Sequence, residues 1–276
     1  NLHEFLFFMF INECFSIDSM KILGIIQARM GSSRLQGKVM YKLNEKTILE
    51  TIVLMLKHSK FLDKIIVATT DLKEDDVIID LCKKIGIDFF RGSSKNVLER
   101  YYECAKKFDG DIIVRITGDS PIIDYVLTDK AIKLCIDNNY DYISNVIHLT
   151  YPLGYNSCEV FPFRILKKLY FSNSDSMSKE HVTYHIRKCP ESYNIGELSA
   201  PELLQRSNWR LTIDYIEDYK LMKKLFSQFF KDNYVVNYEY LVKFLEANSD
   251  ILEINKDYWI DITSKKYNPV KDGLVK

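Results

Sequence analysis

From position 20 onward the chain alternates short unbroken apolar runs with longer stretches whose apolar residues recur at helical spacing. Ile22–Ala28 (ILGIIQA) is an apolar run suited to a strand buried on both faces. Ile48–His58 follows with helical periodicity, and Lys64–Thr69 (KIIVAT) is again strand-like. Asp75–Ile85 predicts a helix with an acidic first turn and lysines in its last, an order that complements the helix dipole. Ile87–Phe90 predicts a third strand, Asn96–Phe108 a helix and Asp111–Ile116 (DIIVRI) a fourth strand. Thr128–Asn138 and Asp141–Asn145 continue the alternation. After Tyr151 the rhythm changes: a strand at Glu159–Phe161, helices at Arg164–Phe171 and Ser178–Lys188, a returning strand at Trp209–Ile213, and closing helices at Glu217–Phe230 and Tyr238–Asn248.

Strand and helix in alternation predict a three-layer α/β fold, a mainly parallel sheet with helices on both faces. Ligands of such sheets bind beyond the carboxyl ends of the strands. The positions to inspect are therefore those just after Ala28, Thr69, Phe90 and Ile116. No internal repeat, low-complexity linker or Pro/Gly-rich hinge interrupts the pattern, which favours one domain over residues 20–276.

Residues 1–19 read as an extension outside the fold, with Met20 as the functional start. Their apolar run, Leu6–Ile11, is far below the ~20 residues that span a bilayer, and it lacks the basic start and small-residue cleavage site of a secretory signal. The alternative is an interfacial anchor, but the basic residues such anchors use are absent. Nearly half of the 276 residues are apolar, enough to bury a core. Lys plus Arg equals Asp plus Glu at 38 each, so no global field draws nucleic acid or membrane. An anionic ligand must instead be captured by a local cluster of cations. Six scattered cysteines without a C-x-x-C pair suit reduced thiols in a cytoplasmic protein.

One such cluster follows the first strand: Arg29-Met-Gly31-Ser32-Ser33-Arg34-Leu-Gln-Gly37-Lys38. Glycines and serines let backbone N–H groups approach an oxyanion, and the cations supply the charge a triphosphate needs. It is not a Walker motif: five residues separate Gly31 from Gly37, and Val39 follows Lys38. Nor is there a G-x-G-x-x-G fingerprint. The plainer alternative is a solvated basic loop turned by its glycines; placement directly after a buried strand, with cations and small residues together, favours phosphate binding over it.

The fourth strand runs into Gly118-Asp119-Ser-Pro121. A hard cation such as Mg²⁺ takes one or two carboxylates and fills its other positions with water and phosphate oxygens. Asp119 fits that need, and so does a turn-forming Asp ahead of a proline. Asp214, closing Trp209–Ile213, could serve a metal, cap the helix that follows, or do both.

These segments together resemble the cytidylyltransferases of the spore-coat polysaccharide biosynthesis F type, relatives of the acylneuraminate and 3-deoxy-manno-octulosonate cytidylyltransferases. The resemblance runs from Met20 to about Asn255. It rests on residues 26–38, Phe90-Arg-Gly-Ser93, Val97-Leu-Glu-Arg-Tyr101, Val114-Arg-Ile-Thr-Gly-Asp-Ser-Pro121, Glu180-His-Val-Thr183, Arg210-Leu-Thr-Ile-Asp214 and Glu217-Asp218. It implies a nucleotide-diphospho-sugar-transferase-like fold and a nucleotide held by Ala28, Arg29, Gly31, Ser32, Ser33, Arg34 and Lys38. Arg91 and Arg100 would contribute, with a helix-surface Arg100 as the plainer alternative. Asp119 and Asp214 would hold Mg²⁺, and Arg29, Lys38 and Asp119 would serve catalysis.

Glu180 and His181 fall on the acceptor side; without the resemblance, His181 would read as an ordinary packed histidine. There are departures. Gln36 stands where relatives have Pro, and the stretch from Pro152 to Val160 is one residue longer before Glu159, which bears on the acceptor roles of Asn156 and Glu159.

The implied enzyme is a CTP-dependent nucleotidyltransferase that activates a sugar, sugar acid or phosphorylated acceptor for polysaccharide or glycan synthesis and releases pyrophosphate. Two other classes share much of this pattern: a GT-A-like glycosyltransferase using a finished nucleotide-sugar, and a non-catalytic nucleotide-binding module. A homodimer is the assembly that the helical, aromatic-rich second half allows.

Overall fold

The computed structural model describes residues 19–147, 150–172, 175–230 and 234–259; the extension expected over residues 1–19 lies almost wholly outside them. Elements run β1 (Ile22–Gln27), β2 (Lys42–Leu43), β3 (Lys46–Thr47), α1 (Ile48–Leu56), β4 (Lys64–Thr70), α2 (Asp76–Ile85), β5 (Asp88–Gly92), α3 (Val97–Lys107) and β6 (Ile112–Thr117). They continue with α4 (Tyr125–Asp137), β7 (Tyr142–Ser144), β8 (Cys158–Pro162), α5 (Phe163–Ser172), α6 (Ser176–Glu180), α7 (Tyr184–Lys188), β9 (Ile195–Glu197), α8 (Ile216–Gln228), α9 (Tyr238–Ala247) and α10 (Ser249–Leu252).

Among the described residues, seven strands form one sheet in the order β5-β4-β1-β6-β8-β7-β9. β5, β4, β1 and β6 are parallel, β8 runs antiparallel between β6 and β7, and β9 returns parallel to β7. The period of two along each strand sorts side chains between two cores. Ile22 and Ile26 of β1, and Ile112, Val114 and Ile116 of β6, join α1, α2, α4, α8 and α9 on one face. Leu23 and Ile25, with Ile113, join α3, α5 and Val182 on the other. This is the expected three-layer arrangement.

Helix starts follow local chemistry. Thr47 and Glu50 form a reciprocal capping box at α1, Asn96 caps α3, and Asp124 accepts from Val126 N and Leu127 N at α4. Gly86, in the left-handed conformation, ends α2. Of the five cysteines described, all are free and four are buried; burial pushes the Cys82 thiol up to about 11 and that of Cys135 to about 12. No helix among the described residues is long and apolar enough to cross a membrane.

Two expectations need correction. Ser178–Lys188 is not one helix: it breaks between α6 and α7, where Val182 takes a φ of 29°. A β-branched residue resists that conformation. Val182 is held there by burial in the second core; α6 ends at Glu180, and His181 is the first residue outside it. Trp209–Ile213 is not a strand. It is an extended stretch that makes one bridge, Leu153 with Arg210, and bonds from Leu211 N to Leu153 O (2.6 Å) and Ile213 N to Asp119 O (2.8 Å). Its partners are two separate loops, so no ladder propagates.

That stretch carries Asp214 and depends on Gly154. At a φ of 90°, a Cβ on Gly154 would lie 2.4 Å from Thr212 N and 2.6 Å from Leu211 C. Gly154→Ala should therefore destabilise the protein by about 1–3 kcal/mol. The cost should appear in thermal melting as a fall of roughly 2–4 °C for each kcal/mol. An unchanged melting temperature would mean that the two loops are not packed as described.

Candidate active site

The carboxyl ends of β1 and β6 open into a cleft. Gln27, Ala28 and Arg29 form one edge and Gly118 and Asp119 the next; Ser32, Ser33, Arg34 and Lys38 come from the loop. The loop is tied down from below: Met30 N donates to Asp75 Oδ1 at 2.6 Å, and Thr70 also donates its hydroxyl to this fully buried carboxylate. Ser32 N and Gly37 N both return to Met30 O, at 2.8 and 2.9 Å. Gly37, with φ 66°, then turns the chain into a short 3₁₀ turn at Lys38–Met40. The turn delivers Lys38 to the cleft floor.

Lys38 Nζ lies among three oxygens: Ile213 O at 2.6 Å, Asp119 Oδ2 at 3.0 Å and Asp214 Oδ1 at 3.0 Å. Its residue is only 7% exposed. Burial alone would lower its pKa; the two carboxylates outweigh that and raise it above the ordinary lysine value. Asp214 is gripped further, by Arg34 Nη2 on Oδ1 and Arg210 Nη2 on Oδ2, both at 2.8 Å. Arg210 is fixed in turn by two-point contact with Asp218, whose carboxylate also accepts from Asp214 N, Tyr215 N and Asn255 Nδ2. Asp214 thus sits on a rigid buried mount, whereas Arg34 reaches in from outside with its side chain 40% exposed and over the Tyr215 ring.

The opposite wall is built by α3 and the α6–α7 break: Val97, Arg100, Glu180 and His181. Arg100 is 2% exposed and donates from Nη1 to Ser93 O at 2.7 Å, while its buried Nε has no partner. Burial, with Arg29 nearby, lowers its pKa. Beneath it lies Arg115, in cross-strand register with Glu159 and bonded to it. Arg115 Nη2 also donates to Gln27 Oε1 at 3.1 Å. Tyr142 Oη (2.6 Å), Thr183 Oγ1 (2.8 Å) and Arg187 Nη1 (2.8 Å) complete the shell of Glu159. Burial would raise the Glu159 carboxyl; Arg115 and Arg187 outweigh it and hold the group below its ordinary 4.5.

A charged, strand-end cleft of this form can be compared with known proteins. The family model described as "Cytidylyltransferase" matches residues 23–258. This chain belongs to the cytidylyltransferase family. An uncharacterised protein of Methanocaldococcus jannaschii is 44% identical over 255 residues, 92% of this chain and 100% of that one. The spore coat polysaccharide biosynthesis protein SpsF of Bacillus subtilis is 36% identical over 213 residues, 75% and 87% of the two chains. Among solved structures, a cytidylyltransferase from Leptospira borgpetersenii superposes with a TM-score of 0.80 at 34% identity, covering 84% of this chain and 97% of the other. The same fold occurs in a CMP:2-keto-3-deoxy-manno-octonic acid synthetase solved with CTP, at a TM-score of 0.56 and 15% identity over 75% of this chain and 99% of the other.

In this cytidylyltransferase, Ala28, Arg29, Ser32, Ser33, Arg34, Lys38, Arg100, Asp119, Glu180 and His181 line the cleft. Asp214 adjoins it through Lys38. The other expected residues stand back. Arg91 is spent on Thr70 O, Leu72 O and Asp76, and Gly31 packs toward Glu74. Asn156 is buried, accepting from Asp124 N and Thr128 Oγ1, both at 3.0 Å. Glu159 is 2% exposed behind Arg115. Asn156 takes a φ of 44°. Gln27, Val39, Val97, Arg115 and Gly118 line the cleft without having been singled out for it. A charged Arg115 within the apolar run DIIVRI was the available signal.

Glu159→Gln keeps the shape but leaves two buried guanidinium groups without their countercharge, at a cost of about 3–5 kcal/mol. Because the folded-state pKa is depressed, the wild-type advantage is present above the ordinary 4.5 and is lost as pH falls through the folded value. Denaturant midpoints for the two proteins should converge in acid. A gap that stays constant with pH would show that the carboxylate charge is not its source.

Proposed function

We propose that the protein transfers the cytidylyl group of CTP to an oxygen of a sugar-type acceptor, releasing pyrophosphate. The observation that carries this reading is the cradle of three oxygens around Lys38 Nζ, set beside the arginines of the strand-end loop. Family membership supports the cytosine base, and the likeness to a spore coat polysaccharide biosynthesis protein supports a glycan-directed acceptor.

The cradle also fits a divalent cation. Its donors are all hard oxygens, from two carboxylates and one carbonyl, and a cation already occupies the point between them. No larger group of metal-ligating side chains occurs among the described residues. That suits Mg²⁺, which keeps phosphate oxygens and water as its other ligands. Held by Asp119 and Asp214, it would supply charge neutralisation at the α-phosphate.

The chain's own residues do the rest. An acceptor oxygen attacks the α-phosphorus; the new P–O bond forms as the bond to the bridging oxygen breaks, and pyrophosphate leaves with that electron pair. A hydroxyl acceptor gives up its proton to solvent, while an ionised phosphate oxygen has none to lose. Arg29 and Lys38 take up charge developing on the bridge and the leaving group, and Arg34 grips the distal phosphates. Arg100, buried without a carboxylate partner among the described residues, offers a guanidinium to an anionic ligand. Glu180, the last residue of α6, and His181 just beyond it line the cleft on the side assigned to the acceptor. The walls hold the reactants in line.

The test is pyrophosphate release with each of the four nucleoside triphosphates, Mg²⁺ and a panel of sugars, sugar acids and sugar phosphates. Release should require CTP and an acceptor. Arg29→Ala should slow it by about 10²–10³, and Asp119→Ala should abolish it. Release with another triphosphate would overturn the base assignment. Glycosyl transfer from a nucleotide-sugar without pyrophosphate would replace the reaction with that of a glycosyltransferase.

A further inference from the structure

Two duties fall on the same atoms at the cleft floor. An ammonium has three N–H donors, and on Lys38 all three are matched by oxygens: Ile213 O, Asp119 Oδ2 and Asp214 Oδ1, within 3.0 Å. None is left for a phosphate. Asp214 is equally committed, with Arg34 and Lys38 on Oδ1 and Arg210 on Oδ2. Neither carboxylate can take a divalent ion at the point between them while the ammonium stays, because the two cations would repel strongly at contact distance.

We propose that Lys38 and the divalent cation are alternative occupants of one seat. In the nucleotide-free protein the lysine closes the metal site; when a triphosphate arrives, Lys38 and Arg34 move onto its oxygens and vacate Asp119 and Asp214 for the metal. The inference rests on the assignment of those two carboxylates to the metal.

The parts are built unequally, as an exchange requires. Arg210 is 3% exposed and locked to Asp218, and Asn255 braces both, so Asp214 keeps its place when the lysine leaves. Arg34 is the exposed partner, and Lys38 carries a flexible four-carbon stem. At each stage a cation faces the carboxylate pair, so the buried negative charges are never left alone. Metal and nucleotide binding are then positively coupled, each strengthening the other by the same factor.

The test uses the full chain without nucleotide and reads Mn²⁺ binding by electron paramagnetic resonance and calorimetry. Wild type should bind Mn²⁺ weakly, and Lys38→Met should tighten one site by at least about 10-fold. Adding Asp119→Asn to that variant should abolish the gain. Arg34→Gln, at an exposed position, should shift affinity in the same direction by a smaller factor, which covers a Lys38→Met protein that folds poorly. Arg29→Met removes equal charge from the same cleft and should produce a much smaller effect. Equal Mn²⁺ affinity in wild type and Lys38→Met, lost from both on Asp119→Asn, would overturn the shared seat and leave the metal assignment standing. Mn²⁺ binding indifferent to Asp119→Asn would overturn both.

Discussion

A lysine ammonium buried among oxygens at the end of a parallel sheet is the contact on which the rest of the cleft depends. Taking an ammonium out of water costs several kcal/mol, and only well-placed opposite charges offset it. Lys38 is placed by the loop after β1, Asp119 by the end of β6, and Asp214 by the stretch that runs back between Leu153 and Asp119. Three segments far apart in sequence must therefore close on one nitrogen. Removing any of them leaves buried charge uncompensated.

Around that contact the site divides into a rigid half and a yielding half. Arg210–Asp218–Asn255 and Arg115–Glu159–Arg187 are buried, multiply bonded sets that set the floor and back wall. Arg29 and Arg34 stand at the rim, where they can follow a ligand. Such a division suits group transfer between two bound molecules: fixed dipoles and charges lower the barrier, while mobile cations admit and release a polyanion. The same reasoning explains a neutral net charge. With 38 cations and 38 anions overall, the positive charge at the cleft is local, supplied by three cations within ten residues rather than by the whole surface.

How much of this could be read from the residues differed with the range of the interaction. β1, β4 and β6 are buried along most of their length, so their apolar runs stood out, and α1 stood out through the helical spacing of its apolar residues. The cations and small residues of the loop were visible because they are contiguous. Trp209–Ile213 has the composition of a strand, but a strand needs a continuous partner, and its neighbours are two loops. The break at Val182 was hidden because tertiary burial overrides helical periodicity there. Glu159 looked like a site residue until strand register set it opposite Arg115, beneath the cleft. Gln27 acquires its role through a bond to Arg115, 88 positions away.

The most direct test of the central claim is a crystal structure of the protein with CTP and Mn²⁺, with the metal located by its anomalous scattering. The account predicts one peak shared by Asp119 and Asp214, the triphosphate along residues 29–38, and Lys38 Nζ moved from the carboxylates onto a phosphate oxygen. A nucleotide bound outside this cleft, or a metal seated elsewhere while Lys38 still bridges both carboxylates, would contradict it.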